Sequence, residues 1–548
     1  MSPLLWLLVP GAPLLGCLLV LGCRAQRSAH WLWLTTVPAL LLCLWPAEAL
    51  VLPGIWPGAE WAAEDNLRRT WLGFSAMLWA CASRYAATDL LGDHHQRRFW
   101  LFWLLALSGN LLLVIAQDVG SFYVGFTLMS LSAYGLIAHK RGPEPRQAAR
   151  FYLQLAVLGE MLIYAGMMLR IHEAGGALAL STLQDTPASL WSLLLLLSGF
   201  GIKAGFWPLH IWLPLAHPAA PAAASAVLSG SMIKAGIFGL WHFLPAEQAL
   251  LQDWAVVLLA AGAFGALYGV VLGLLQTRSK TLLAYSSVSQ MGYLLIILAL
   301  AWQTGQRDAA TLSLALYATH HALAKGALFM GAGLSTQTRF KPWHWLCISL
   351  PALALAGLPL TSGAAIKLLL KDGIANSDLG SWVSLLIMGS AGTMLLMLRA
   401  LWLMRSAQQR CDLPPMPAGQ QVPWALLCIM PVLLPWLWQP LREVMLDSLP
   451  PYAVWAALWP ALIALAAGAL AVKMHYRVPD RLRHLPAPGR RLSLGLKRLI
   501  QRPPAPERAQ LNGEDGWRRG ERRWNRFWRA GTLATSAWLI LILLLLGW

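Results

Sequence analysis

Charge is what this chain has least of. Only 12% of its 548 residues are Asp, Glu, Lys or Arg, whereas 57% are hydrophobic. A soluble domain carries about twice that charged fraction, so an ordinary water-soluble fold is excluded. Long polar stretches are also missing before residue 474, which leaves no room there for a soluble domain. The seven cysteines (Cys17, Cys23, Cys43, Cys81, Cys347, Cys411 and Cys428) lie scattered, mostly in apolar runs, and read as small hydrophobes rather than metal ligands. No Gly-rich nucleotide loop occurs either. Redox or ATP chemistry, if it drives this protein, belongs to another chain, and no cofactor is expected on this one.

What the chain has in abundance is apolar runs of roughly 18–25 residues, the length a bilayer demands of a helix. They predict an all-α polytopic membrane protein of about sixteen spans: 3–23, 31–52, 69–88, 99–117, 119–139, 149–170, 188–213, 220–243, 252–276, 281–301, 309–334, 345–370, 380–405, 423–440, 452–473 and 530–547. The first run lacks a basic leader and has its arginines behind it, so a retained span is expected rather than a cleaved signal.

The formal net charge of +18 reads mainly as topology. With sixteen spans, the odd-numbered connections hold most of the Lys and Arg, including Lys140, Arg141, Arg278, Lys280, Arg339 and Lys341. The positive-inside rule then sets those connections in the cytoplasm and both termini outside, in a bacterial inner membrane. Residues 474–529 are strongly basic and interspersed with tryptophan. They read as a cytoplasmic stretch on anionic lipid or a partner subunit, not as a nucleic-acid site.

Four lysines break the apolar pattern. Between Asp185 and Glu247 the only formal charges are Lys203 and Lys234; Lys325 stands alone between Asp308 and Arg339, and Lys367 between Lys341 and Lys371. A lone ammonium at bilayer depth costs about 2.5–3.5 kcal/mol, so such residues mark function by default. One of them could snorkel to an interface; four in one chain point to a protein that moves protons or cations. Pro208, Pro214, Pro218 and Pro221 fall within fourteen residues and predict a broken helix after Lys203. Pro359, Ser362 and Gly363 repeat the break just before Lys367. Two interrupted helices in different halves of a chain are the cue for inverted repeats built around an ion path.

The stretches WPLHIWLPLAHPAAPAAASAVLSGSMIKAGIFGL (207–240), QTRSKTLLAYSSVSQMGY (276–293), HALAKGALFMGAG (321–333) and GLPLTSGAAIK (357–367) carry a resemblance. In that order they resemble the antiporter-like membrane subunits: subunits L, M and N of respiratory complex I, the large subunits of Mrp-type sodium/proton antiporters, and the membrane arms of energy-converting hydrogenases. The likeness covers roughly residues 95–405, and the layout is most similar to subunit L. It implies N-terminal helices over 1–94, inverted five-helix repeats over 95–245 and 246–406, and C-terminal helices over 407–473. A basic cytoplasmic segment over 474–529 and a last helix over 530–548 complete the chain. The lateral helix that subunit L carries before its last span is not expected as one straight rod, because six prolines interrupt 474–529. By the same resemblance, Lys203, Lys234, Lys325 and Lys367 are the lysines of a proton relay, and His321 is a relay histidine.

Two departures stand out. Where the family usually has a glutamate in a WELM-like motif, this chain has Thr127, within FYVGFTLMSLSAY (122–134). Glu160 is the substitute expected to face Lys203, being the only acid between Glu144 and Glu173. Gln290 stands where a histidine is common, and it can orient water but cannot carry the proton at neutral pH. His210, His217 and His242 fit structural hydrogen bonding as well as proton transfer. His320 and His321 are about 100° apart on a helix, so one of the two is expected to face the path.

A buried amine prefers to be neutral and a carboxylate within about 4–6 Å restores its charge, so a moving carboxylate can switch uptake and release. The first function expected is therefore a proton-translocating subunit coupled to redox chemistry on partner subunits of a multi-subunit complex. The alternative is a transporter subunit without redox chemistry, either a sodium/proton antiporter module or the proton-driven part of an inorganic-carbon uptake system. A structural scaffold is the reading a dead relay would leave.

Overall fold

The computed structural model describes residues 2–22, 28–245, 248–375, 383–409 and 413–473. The expected basic segment 474–529 and last helix 530–548 lie outside the described residues, as do Cys23 and Cys411. The described chain is almost wholly helical. Its one sheet is a two-residue antiparallel pair, Leu50–Val51 with Glu60–Trp61.

Eleven helices among the described residues are long and apolar enough to cross a membrane. The expected windows and the observed helices part company in two informative places. The window 31–52 yields a helical run only over Ala29–Leu44, because Pro46 and Pro53 end it and the chain turns into the small hairpin. The window 345–370 is two helices, Pro342–Ala356 and Ser362–Ala375. Between them Gly357 (φ 84°) and Leu360 (φ 65°) take left-handed backbone, at little cost for the glycine and at some strain for the leucine. The windows 69–88 and 309–334 are met by Asn66–Asp89 and Arg307–Gln337, long helices that carry polar faces. Those faces are buried against other helices, not against lipid.

Local sequence explains where the helices start. Asp118 caps Val119–Ile137, accepting from the Ser121 amide at 2.8 Å and from Trp56 Nε1 at 2.8 Å. Ser189 caps Leu190–Ala204 in the same manner. Close packing then needs small residues. A methyl on Gly199 would lie 2.7 Å from the Gly159 carbonyl oxygen, so the helices Pro143–Glu173 and Leu190–Ala204 approach backbone to backbone at that level. Glu160 adjoins that contact on one helix, and Lys203 follows it by one turn on the other.

At the far end of the same helix, Arg170 is fully buried. It donates to the carbonyls of Phe243 (3.1 Å), Pro187 (2.7 Å), Thr186 (2.6 Å) and Leu183, and it pairs with Glu173 at 2.5 Å. One guanidinium thus ties together the ends of three helices. Arg170→Met is expected to leave those carbonyls and Glu173 without their donor and to cost about 3 kcal/mol. Thermal unfolding of the purified protein checks it; an unchanged melting temperature would mean that Arg170 holds nothing together.

Candidate functional site

Lys203 bonds a side-chain hydroxyl and the other three lysines bond backbone carbonyls, and the local backbone accounts for each. Lys203 sits in the last turn of Leu190–Ala204, which ends at Gly205 in left-handed backbone (φ 71°). Its ammonium donates to the Tyr152 hydroxyl at 3.2 Å and lies over the Phe126 ring at 5.6 Å. The break after Gly205 is held by Trp212 Nε1, which donates to the Ile202 carbonyl at 2.7 Å. Glu160 and Lys203 line one cavity with Ser130 and Tyr152, offering ≈ 10 Å³ to the centre of a water, about enough for one molecule. Thr127 and Ser130 stand beside the Glu160 carboxyl. The carboxyl and the ammonium share this cavity without closing to a direct ion pair.

Lys234 depends on an irregular winding. Ala222–Val227 runs into a π-helical segment, Leu228–Met232, before regular helix resumes at Lys234. The wider turn binds the Ile233 amide to the Leu228 carbonyl at 3.1 Å. The carbonyls of Ser229 and Gly230 accept from Lys234 Nζ at 3.2 Å and 2.5 Å. Such bulges recur at functional sites because they turn backbone oxygens toward a ligand or side chain.

Lys325, fully buried, donates to the Leu283 carbonyl at 2.9 Å. Lys367 reaches back across the second break to the Ala356 carbonyl at 2.7 Å, the C-terminal end of Pro342–Ala356, where the helix dipole favours a cation. It also lines a second small cavity, with Gly357, Lys371, Ser390 and Ser448.

Two histidines bridge the lysines. Buried His321 is within electrostatic reach of Lys234 and Lys325, and neither of its ring nitrogens has a hydrogen-bond partner. His320 lies between Lys234 and Lys367, with Nδ1 2.6 Å from the Ser362 hydroxyl. Both histidines therefore stand between lysines. Lys234 is a neighbour of both, with Lys325 the second lysine near His321 and Lys367 the second near His320. Tyr317, fully buried, donates to Gln290 Oε1 at 2.8 Å. Further buried polar atoms without partners, on Ser286, Ser289, Gln290 and Tyr293, collect on the neighbouring helix Ser279–Thr304. A dry apolar core rarely tolerates so many.

Two contributors, Tyr152 and the π-segment, went unread in the sequence, and a third, His320, was read without a rank. Tyr152 precedes Glu160 by eight residues, hence the same helix face, and that spacing could have found it. His320 could not be ranked against His321 without Lys367. The π-segment left no signal at all, since LSGSM reads as ordinary helix.

Interrupted helices, buried ammonium groups and histidines between them define a class: multi-pass helical membrane proteins with a polar interior line. The family described as NADH:quinone oxidoreductase/Mrp antiporter, transmembrane, matches residues 116–396, and the chain belongs to it. It is 32% identical to hydrogenase-4 component B of Escherichia coli over 287 residues, 48% of this chain and 43% of that protein. It is 30% identical to NADH-quinone oxidoreductase subunit N of Desulforudis audaxviator over 363 residues, 61% of this chain and 71% of that one. It thus spans under half the length of the first relative. In fold it is similar to a chain of the Mrp complex from Dietzia sp. DQ12-45-1b, with a TM-score of 0.69 at 19% identity, covering 83% of this chain and 98% of the other.

Proposed function

We propose that this chain is the proton-translocating, antiporter-like subunit of a multi-subunit membrane complex, driven by redox chemistry on its partners in the manner of complex I or an energy-converting hydrogenase. Glu160, Lys203, Lys234, His321, Lys325 and Lys367 are the relay, arranged over two repeats, 95–245 and 246–406, within a sixteen-span layout. The observation that carries the reading is the contrast between four ammonium groups, three buried and that of Lys367 half-buried, and one nearby carboxylate. Lys234, Lys325 and Lys367 rest on neutral carbonyls, which hold a cation loosely enough for a proton to leave. Each charged neighbour disfavours charge on the next, so a change at Glu160 passes along the row.

Purification of the intact complex, with proton flux measured in proteoliposomes, tests the proposal. Iron–sulfur or nickel–iron subunits together with flux support it. Flux with no redox partner selects the alternative, a sodium/proton antiporter or a proton-driven inorganic-carbon uptake system, the latter marked by a soluble zinc protein. No flux at all leaves a scaffold.

The orientation belongs to the same proposal: a bacterial inner membrane, with the basic connections in the cytoplasm and both termini outside. An engineered cysteine replacing Ser493 is then expected to resist an impermeant thiol reagent in intact cells and to react after lysis. Ready labelling in intact cells would invert the topology.

A further inference from the structure

A second polar line leaves Lys325 toward the basic face of the protein, through residues that the relay above does not use. On Arg307–Gln337 the residues Lys325, Phe329, Gly333 and Gln337 are spaced by four, so they form one stripe about 18 Å long. Fully buried His217 packs on this stripe: its ring stacks on Phe329 at 4.5 Å and 23°. The Lys325 ammonium lies 6.0 Å from the centre of the same ring. His217 is within electrostatic reach of Lys325 on the interior side and of Lys280 on the basic side. Neither of its ring nitrogens has a hydrogen-bond partner.

One turn further along the stripe, a methyl on Gly333 would lie 3.4 Å from the Tyr85 hydroxyl. That is contact distance, so the hydroxyl lies against the helix here, and the neighbour that requires the glycine is Ala222, whose Cβ the methyl would overlap. Tyr85 is also fully buried, and its hydroxyl likewise has no partner. One turn beyond Tyr85 on its own helix is Asp89, the last residue of Asn66–Asp89. Its carboxylate accepts from Gln420 Nε2 at 3.1 Å, stands beside Gln337 at the end of the stripe, and has Lys140 and Lys280 as its cationic neighbours. Lys280 itself donates to the Ala220 carbonyl at 2.9 Å, in the helix break three residues after His217.

We infer that Asp89, Tyr85 and His217 form a proton inlet from the basic face to Lys325. The inference rests on the proton-translocating reading. Asp89 takes a proton from water at the basic face and becomes the carboxylic acid. The Tyr85 hydroxyl accepts that proton on its oxygen while giving up its own, directly or through water, to a ring nitrogen of His217. The imidazolium passes a proton to the neutral amine of Lys325. No electrons move, and each group returns to its starting form once the carboxylate and imidazole have let go.

The test uses the intact complex in proteoliposomes. Asp89→Asn keeps the shape and the Gln420 contact but cannot take the proton; Tyr85→Phe removes only the hydroxyl. Each is expected to slow flux roughly tenfold or more, with the complex still assembled, whereas Asp89→Glu stays near the wild-type rate. Wild-type flux in Asp89→Asn overturns the inlet and leaves the translocation reading intact. A second measurement does not depend on flux: Tyr85→Cys, in a background without other cysteines, is expected to react with a small cationic thiol reagent from the Lys140 and Lys280 face and not from the opposite one. No reaction from that face, or equal reaction from both, overturns the inlet. No flux from the wild type, with Tyr85→Cys labelled as expected, instead overturns the translocation reading.

Discussion

Glu160→Gln is expected to lower proton flux to roughly a tenth of wild type or less while the complex still assembles. The substitution keeps the shape of the side chain beside the hydroxyls of Thr127 and Ser130, and it deletes the only carboxylate in the Lys203 cavity. The Tyr152 hydroxyl and the Phe126 ring remain around the ammonium, and neither can supply a full negative charge. Thr127→Glu is the complementary variant. Residue 127 already borders the Glu160 carboxyl, so a glutamate there places a carboxylate in the same neighbourhood and is expected to recover part of the flux lost in Glu160→Gln. Fluorescent pH dye in reconstituted vesicles measures both. Wild-type flux in the single Glu160→Gln variant would remove this residue from the relay.

Lys234→Met is the second large effect, and its two readouts should move in opposite directions. Flux is expected to fall roughly a hundredfold, because methionine fills the space of lysine and carries no proton. Stability is expected to hold or rise. An ammonium at bilayer depth costs about 2.5–3.5 kcal/mol, and replacing a buried ion by an apolar group of similar volume is often neutral or stabilising. The carbonyls of Ser229 and Gly230 lose a donor, which offsets part of the gain. Retained flux would show that Lys234 is a structural prop for the wide turn.

The lysines and the two helix breaks were legible in the sequence because both are punctuation. An isolated charge in an apolar run and a cluster of prolines each violate the local rule of a membrane helix, and each violation survives any uncertainty about packing. Glu160 was legible by elimination, being the only acid in its span. Hydrogen-bond partners were not legible. Lys325 and Lys367 bond backbone carbonyls of Leu283 and Ala356, and a carbonyl leaves no trace in the identity of the residue that owns it. Helices were legible even where they face other helices and carry polar residues: the windows 69–88 and 309–334 fall on Asn66–Asp89 and Arg307–Gln337. Helix ends were legible only in part, since the windows 31–52 and 345–370 run through breaks at proline and glycine. The proposed inlet residues lie on two helices well apart in the sequence, Tyr85 and Asp89 on Asn66–Asp89 and His217 on Leu213–Ala219, and only folding sets both against Arg307–Gln337.

The π-segment at Leu228–Met232 makes chain length, more than residue identity, the quantity under constraint there. Its hydroxyls are already committed, Ser229 to Ser287 at 2.7 Å and Ser231 to Asn110 at 2.6 Å, and a replacement that fits would leave the winding alone. Removing a single residue would not. The amide that now bonds the Leu228 carbonyl from five residues on would do so from four, and the turn would close as regular helix with its flanks in place. The carbonyls of Ser229 and Gly230 would turn back into the helix ladder and away from Lys234. A one-residue gap in this stretch would therefore take away the acceptors of the lysine and leave the surrounding helices where they are.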